Sequence, residues 1–145
     1  MPKSLLDTTT YIDFQRARKN RREIWATNTL RHVADYIAQH GKLCLSTLTV
    51  MEIACGLTAQ GHVQVFRQQI VPTFEIVGFN EDSACLAGEI YAKLDIARLR
   101  IGIPDTAVAA IALTHGLTLT TSNYRHFQRI VDLGYPLILE NWRNP

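Results

Sequence analysis

In Leu43-Cys44-Leu45-Ser46-Thr47-Leu48-Thr49-Val50-Met51-Glu52, a short apolar run meets two hydroxyl residues and then a longer apolar segment. The run has the length and composition of a buried strand, Ser46 or Thr47 is suited to cap a helix, and Leu48 to Leu57 continues as that helix with Gly56 near its end. The same order stands upstream, where Ser4 to Leu6 gives way to Asp7-Thr8-Thr9-Thr10, residue types that cap helices and close turns. Downstream, Asn80 followed by Glu81 and Asp82 starts a helix with Ala84, Ala87, Ile90, Leu94 and Ala97 on one face. Pro104 then opens a very apolar helix, Asp105 to His115, which Gly116 ends before the β-rich run Leu117 to Thr121. Strand and helix alternate with connections long enough for crossovers, which predicts an α/β fold of three layers, a central parallel sheet with helices on both faces. In such sheets functional groups gather at the carboxyl ends of the strands.

The intervening segments complete the expectation. A basic stretch, with Arg16, Arg18, Lys19, Arg21 and Arg22, leads into Ile24, Leu30, Val33, Ala34, Ile37 and Ala38 at helical spacing until Gly41. A further helical segment is expected from about His62 to Ile70, then a break at Pro72, a strand over Phe74 to Phe79, and a last short strand over Leu137 to Leu139. At 145 residues, 47% hydrophobic and 19% charged, the chain has the size of one domain, residues 1–145. The net charge of +2 excludes little, but between Arg16 and Arg31 six basic residues face one acid, Glu23. Cys44, Cys55 and Cys85 lie among apolar neighbours without C-x-x-C spacing and read as small core residues. The first residues lack a signal-peptide run and no stretch is long enough to span a membrane, so a cytoplasmic location is expected.

Three acids stand where the predicted strands end. Asp7 follows the first strand, Glu52 lies one and a half turns into the helix after the second, and Asp105 is the only acid between Ile101 and Ile111. Carboxylates that face one cleft repel, and the repulsion is relieved by raised pKa values or by a hard cation such as Mg²⁺ or Mn²⁺. Such an ion suits phosphodiester hydrolysis, because it polarises a phosphoryl oxygen and activates water. The alternative is structural: Asp7 as a helix cap, Asp105 as a first-turn acid, Glu52 as a solvated helix residue. The five histidines lack metal-site spacing and read as incidental. No nucleotide-binding glycine loop or nucleophile elbow is present. A receiver domain is disfavoured because Asp7 stands alone and no lysine follows Lys93.

Four ordered segments resemble the motifs of PIN-domain nucleases: Leu5-Leu6-Asp7-Thr8, Ser46 to Gly56 around Glu52, Ile103-Pro104-Asp105 to Ala112, and Leu117 to Phe127 around Thr121-Ser122-Asn123. The ending Leu139-Glu140-Asn141-Trp142 is similar to the VapC branch. The resemblance implies a PIN fold, Mg²⁺- or Mn²⁺-dependent endoribonuclease activity on RNA, a homodimer, and neutralisation by a VapB-type antitoxin. It assigns Asp7, Glu52 and Asp105 to the metal, and Asn123 to a fourth position that is often aspartate. Thr9 and Thr121 match polar positions around the acids. Asn123 departs from the acidic pattern and brings no charge. The alternative within the fold is a catalytically weak module that binds RNA or a partner protein. Arg18, Arg21 and Arg22 are the candidate RNA contacts, with a solvated turn as the competing reading.

Overall fold

The structure, a computed structural model, describes residues 2–145. Five parallel strands, β1 (Ser4–Leu6), β2 (Cys44–Ser46), β3 (Glu75–Val77), β4 (Thr118–Thr120) and β5 (Leu139–Glu140), form a sheet in the order β3-β2-β1-β4-β5. Around it lie α1 (Thr8–Ala17), α2 (Ile24–His40), α3 (Thr47–Thr58), the single turn α4 (Val63–Val65), α5 (Glu81–Ile96), α6 (Ile103–Thr114) and α7 (Tyr124–Asp132). The strand order reverses direction beside β1, the central strand, which pairs with β2 on one side and β4 on the other. In parallel sheets the carboxyl ends of the strands at such a point are where functional groups gather.

Period-two alternation along each strand divides the core into two layers. Leu5, Cys44 and Leu119 face a cluster with Ile90, Leu94, Val108, Ile111, Phe127 and Ile130, contributed by α5, α6 and α7. Leu6 and Leu45 face the opposite cluster with Tyr11, Val33, Tyr36 and Trp142. The three-layer α/β/α arrangement with a parallel sheet is therefore present as expected.

Several local expectations are corrected. Cys44 is buried, but Cys55 and Cys85 are exposed. Each is two residues, roughly 200° around its helix, from an inward residue: Ile53 packs against the core on α3, and Ala87 is buried on α5. The segment after His62 begins as α4 but loosens into wide helical turns over Phe66–Ile70 and tightens over Val71–Thr73 around Pro72. The strand expected over residues 74–79 is limited to Glu75–Val77 at the sheet edge, and the last strand begins two residues later than expected and ends one later. On α2, Ile24 and Ile37 are exposed, while the buried face carries Asn28 and Thr29. These polar groups are buried because each finds a partner: Asn28 Nδ2 donates to the Arg143 carbonyl of the C-terminal segment at 2.8 Å, and the Thr29 hydroxyl donates to the Trp25 carbonyl of its own helix at 2.8 Å. No helix among the described residues is long and apolar enough to cross a membrane.

Candidate active site

Asp7 is both a helix cap and the centre of a buried polar network. Its Oδ1 accepts from the Thr10 amide at 2.9 Å and the Thr9 hydroxyl at 2.7 Å, and its Oδ2 accepts from the Thr121 hydroxyl at 2.5 Å. Its own amide donates to the Thr120 carbonyl at 3.0 Å, which locks the first residue beyond β1 to the end of β4. The side chain is 3% exposed. Burial pushes the Asp7 pKa above its ordinary value, the three donors pull it back, and the Asp105 charge pushes it up again. The capping and functional readings thus describe one residue.

Glu52 stands six residues beyond the cap of α3, where Ser46 accepts from the Thr49 amide. Its Oε1 accepts from the Thr8 hydroxyl at 2.9 Å. Asp105 lies in the first turn of α6, held by Pro104 beside it and by an N-cap at Gly102. Its Oδ2 lies 3.3 Å from His126 Nδ1, and that same nitrogen lies 2.8 Å from Asn123 Nδ2. The Asn123 amide donates to the Thr121 hydroxyl at 2.9 Å, which closes a chain from Asp105 through His126, Asn123 and Thr121 to Asp7. Glu52 joins it through Thr8, the neighbour of Asp7.

The three sequence-predicted acids and the amide are therefore linked through one polar network at the carboxyl edge of the sheet. Among the described residues, lysines and arginines pair with Glu75, Glu89, Asp95 and Asp13, and none pairs with Asp7, Glu52 or Asp105. An oxygen-rich donor set with no lysine or arginine paired to it suits a hard divalent cation in its chemistry. As placed, no three His, Cys, Asp or Glu side chains among the described residues stand close enough to share an ion. Binding one requires the half-buried Glu52 and Asp105 side chains to turn inward.

Arg18, Arg21 and Arg22 are exposed in the turn between α1 and α2, and none hydrogen-bonds to the acid network. The Arg18 guanidinium lies 5.2 Å from the Phe14 ring centroid. An apolar groove beside it is lined by Tyr11, Phe14, Ile37, Leu43, Ile70 and Phe74.

The PIN domain family matches residues 4–133. The chain belongs to this family. The PIN domain is similar to ribonuclease VapC2 of Haemophilus influenzae, 30% identical over 105 residues that make up 70% of this chain and 76% of that protein. It is also similar to the tRNA(fMet)-specific endonuclease VapC of Salmonella typhimurium, 27% identical over 147 residues, covering 98% of this chain and 99% of that one. Its fold matches the DNA-bound VapBC crystal structure from Salmonella typhimurium with a TM-score of 0.73 at 26% identity, over 98% of this chain and 99% of the other. Within the PIN domains it therefore stands with the VapC ribonucleases, toxins of type II toxin–antitoxin pairs.

His126, which reads as incidental in the sequence, is the member of the PIN-domain site that sequence reasoning missed. Its signal was positional: it lies three residues after Asn123, the N-cap of α7, and cap and third residue of a helix meet side by side. Thr8 was quoted within a motif but given no role, and the structure makes it the donor that holds Glu52.

Proposed function

We propose that this PIN domain hydrolyses RNA phosphodiester bonds with a divalent metal, Mg²⁺ or Mn²⁺, held by Asp7, Glu52 and Asp105 with Asn123 assisting. The observation that carries this reading is the buried Asp7 carboxylate, which feels the Asp105 charge at the switch point of the sheet with no lysine or arginine paired to either. A bound cation lowers the pKa of water and offsets charge on the phosphoryl oxygens. The chain's own groups do the positioning. Thr9, Thr10 and Thr121 fix both oxygens of Asp7, so its carboxylate has little freedom to turn away. Thr8 tethers Glu52 beside Asp7, and Asp105 stands in the first turn of α6. In the reaction a water oxygen bonds to phosphorus as the P–O bond to the neighbouring nucleotide breaks, and the leaving oxygen takes up a proton.

RNA incubated with the protein should be cut with Mn²⁺ or Mg²⁺ and left intact in EDTA. Binding that persists in EDTA and is never followed by cleavage would favour a binding module without chemistry. The cytoplasm is the expected compartment, and mapping the cut 5′ ends after brief induction in cells identifies the RNA.

Arg18, Arg21 and Arg22 are proposed to track RNA phosphates from the far end of α1, a helix length away from Asp7. Changing all three to Gln should weaken RNA binding across sequences and reduce the slope of log affinity against log salt by about 2–3. The measurement is a filter-binding titration at several salt concentrations, with the Asp7→Asn background used to prevent cleavage. An unchanged slope removes these residues from the RNA surface.

The partner proposed is a VapB-type antitoxin, and a second copy of the chain is the expected dimer mate. The groove lined by Tyr11, Phe14, Ile37 and Phe74 suits an apolar antitoxin segment, and a basic side chain beyond it would replace the cation among the acids. A peptide carrying both features should inhibit less as Mg²⁺ rises, and Asp7→Asn should weaken its binding severalfold by calorimetry. Equal binding to wild type and Asp7→Asn at every Mg²⁺ concentration places inhibition outside the acid site.

A further inference from the structure

We infer that His126 contacts the substrate: its Nε2–H donates to a phosphate oxygen of RNA lying at the acid site, and Asn123 orients it for this by donating to the other ring nitrogen. The inference rests on the RNA-hydrolysing reading above and gives that site a residue that holds RNA through a neutral hydrogen bond. His126 Nδ1 lies 2.8 Å from Asn123 Nδ2, an amide nitrogen that only donates, so the Nδ1 lone pair is spent there. A neutral imidazole carries one N–H, which this arrangement leaves on Nε2. Asp105 Oδ2, 3.3 Å from Nδ1, meets a nitrogen with no proton to give it, so the ring stands beside the carboxylate without being committed to it. Among the described residues both hydrogen-bond neighbours of the ring lie at Nδ1, and Nε2 is free.

The other donors of this network are spent on the acids. The Thr9 and Thr121 hydroxyls donate to Asp7, and the Thr8 hydroxyl donates to Glu52. Of the side chains Thr8, Thr9, Thr121, Asn123 and His126, only His126 Nε2–H and the second Asn123 amide hydrogen remain for a ligand. An RNA phosphate arriving among three carboxylates is repelled, and an unspent donor offsets part of that cost. A neutral donor suits the place. A lysine or arginine beside Asp105 would pair with the carboxylate, whereas an imidazole N–H binds the phosphate oxygen and leaves Asp105 its charge. The ring is reachable, with 42% of the His126 side chain exposed beside an Asp105 side chain that is 32% exposed. Its backbone is fixed, because Phe127 and Ile130 on the same helix are fully buried.

The test reads the ring directly, in the Asp7→Asn background that prevents cleavage, at pH 8 with Mg²⁺ present. Long-range ¹H–¹⁵N spectra, with the His126 signals assigned by their loss in His126→Leu, should show Nε2 protonated and Nδ1 bare. Adding a short single-stranded RNA of random sequence should move the Nε2 resonance. In filter binding, His126→Leu should weaken that RNA about tenfold at every salt concentration, the loss expected of a hydrogen bond to a charged group. The slope of log affinity against log salt should not change, because a neutral donor releases no counterion. His126→Gln, whose amide nitrogen takes the place of Nε2, should stay within about threefold of the parent. Both variants should keep the parent's melting midpoint, which separates a lost contact from a lost fold. A proton on Nδ1, an Nε2 resonance that bound RNA leaves unmoved, or equal RNA binding by His126→Leu overturns the inference while the RNA reading stands. If the RNA does not bind the parent protein, the RNA reading falls and this inference with it.

Discussion

Asp7→Asn should abolish RNA cleavage, by about 10³-fold or more, and at the same time raise the melting midpoint of the metal-free protein. The first effect follows because a cation contributes several kcal/mol to a phosphoryl transition state, which corresponds to at least about 10³ in rate. The second follows from the burial of Asp7. Its pKa is raised in the folded protein above the ordinary value of 3.8, chiefly by burial, so the folded state holds the Asp7 proton more tightly than the unfolded chain does. That stabilisation is fully present below 3.8 and is lost as pH rises through the raised value. Above that raised value the ionised carboxylate therefore weighs against folding. Asparagine keeps an oxygen for the Thr9 and Thr10 donors and removes the charge, for a gain of about 1–2 kcal/mol or a few degrees. Scanning calorimetry in EDTA measures it. Adding Mn²⁺ should then raise the wild-type midpoint and leave the variant unmoved, since an ion that binds only the folded state stabilises it. An Asp7→Asn protein that melts below wild type in EDTA, or that still cleaves, contradicts this account.

Arg143→Met should cost the protein about 2–3 kcal/mol of stability, near 10 °C in melting midpoint for a chain of this size. Arg143 Nε and Nη2 donate to Asp13 Oδ2 and Oδ1 at 2.7 and 2.6 Å, and its guanidinium lies 4.9 Å from the Trp25 ring centroid. The Asp13 side chain is only 6% exposed, so removing its partner leaves a charge in a poorly hydrated place. The Arg143 side chain is 41% exposed, and solvent reaching the vacated space lowers the cost below that of a fully buried pair. The double variant Asp13→Asn with Arg143→Met should recover more than half of the loss, because no uncompensated charge remains. Urea melts of wild type, both single variants and the double variant give the coupling energy. Additive losses would mean that the pair does not act as a unit.

These two carboxylates mark the boundary of what a linear reading reaches. Asp7, Glu52 and Asp105 were legible because each stands at a junction that local chemistry makes recognisable: a cap after a strand, a lone acid in an apolar helix, an acid beside a helix-opening proline. Asp13 carries no such mark. It sits in the interior of α1, and its partner is 130 residues away.

The alternation of strand and helix, and with it the parallel three-layer sheet, was set by local periodicity and caps, which act over a few residues and need no knowledge of distant contacts. The same holds for the burial of Leu5, Leu6, Leu45 and Leu119. Tertiary structure decided the rest. Cys55 and Cys85 face outward because the angular position of a residue on its helix, not the polarity of its neighbours in sequence, determines burial. Asn28 is buried on α2 because the C-terminal segment returns to accept its amide at the Arg143 carbonyl. His126 became part of the site only when α6 and α7 were brought together at the carboxyl edge of the sheet, with Asp105 and His126 separated by 21 residues in the chain and 3.3 Å in space. Local propensity is short-ranged, whereas a site's ligand set is assembled by packing, and packing is what a single sequence does not display.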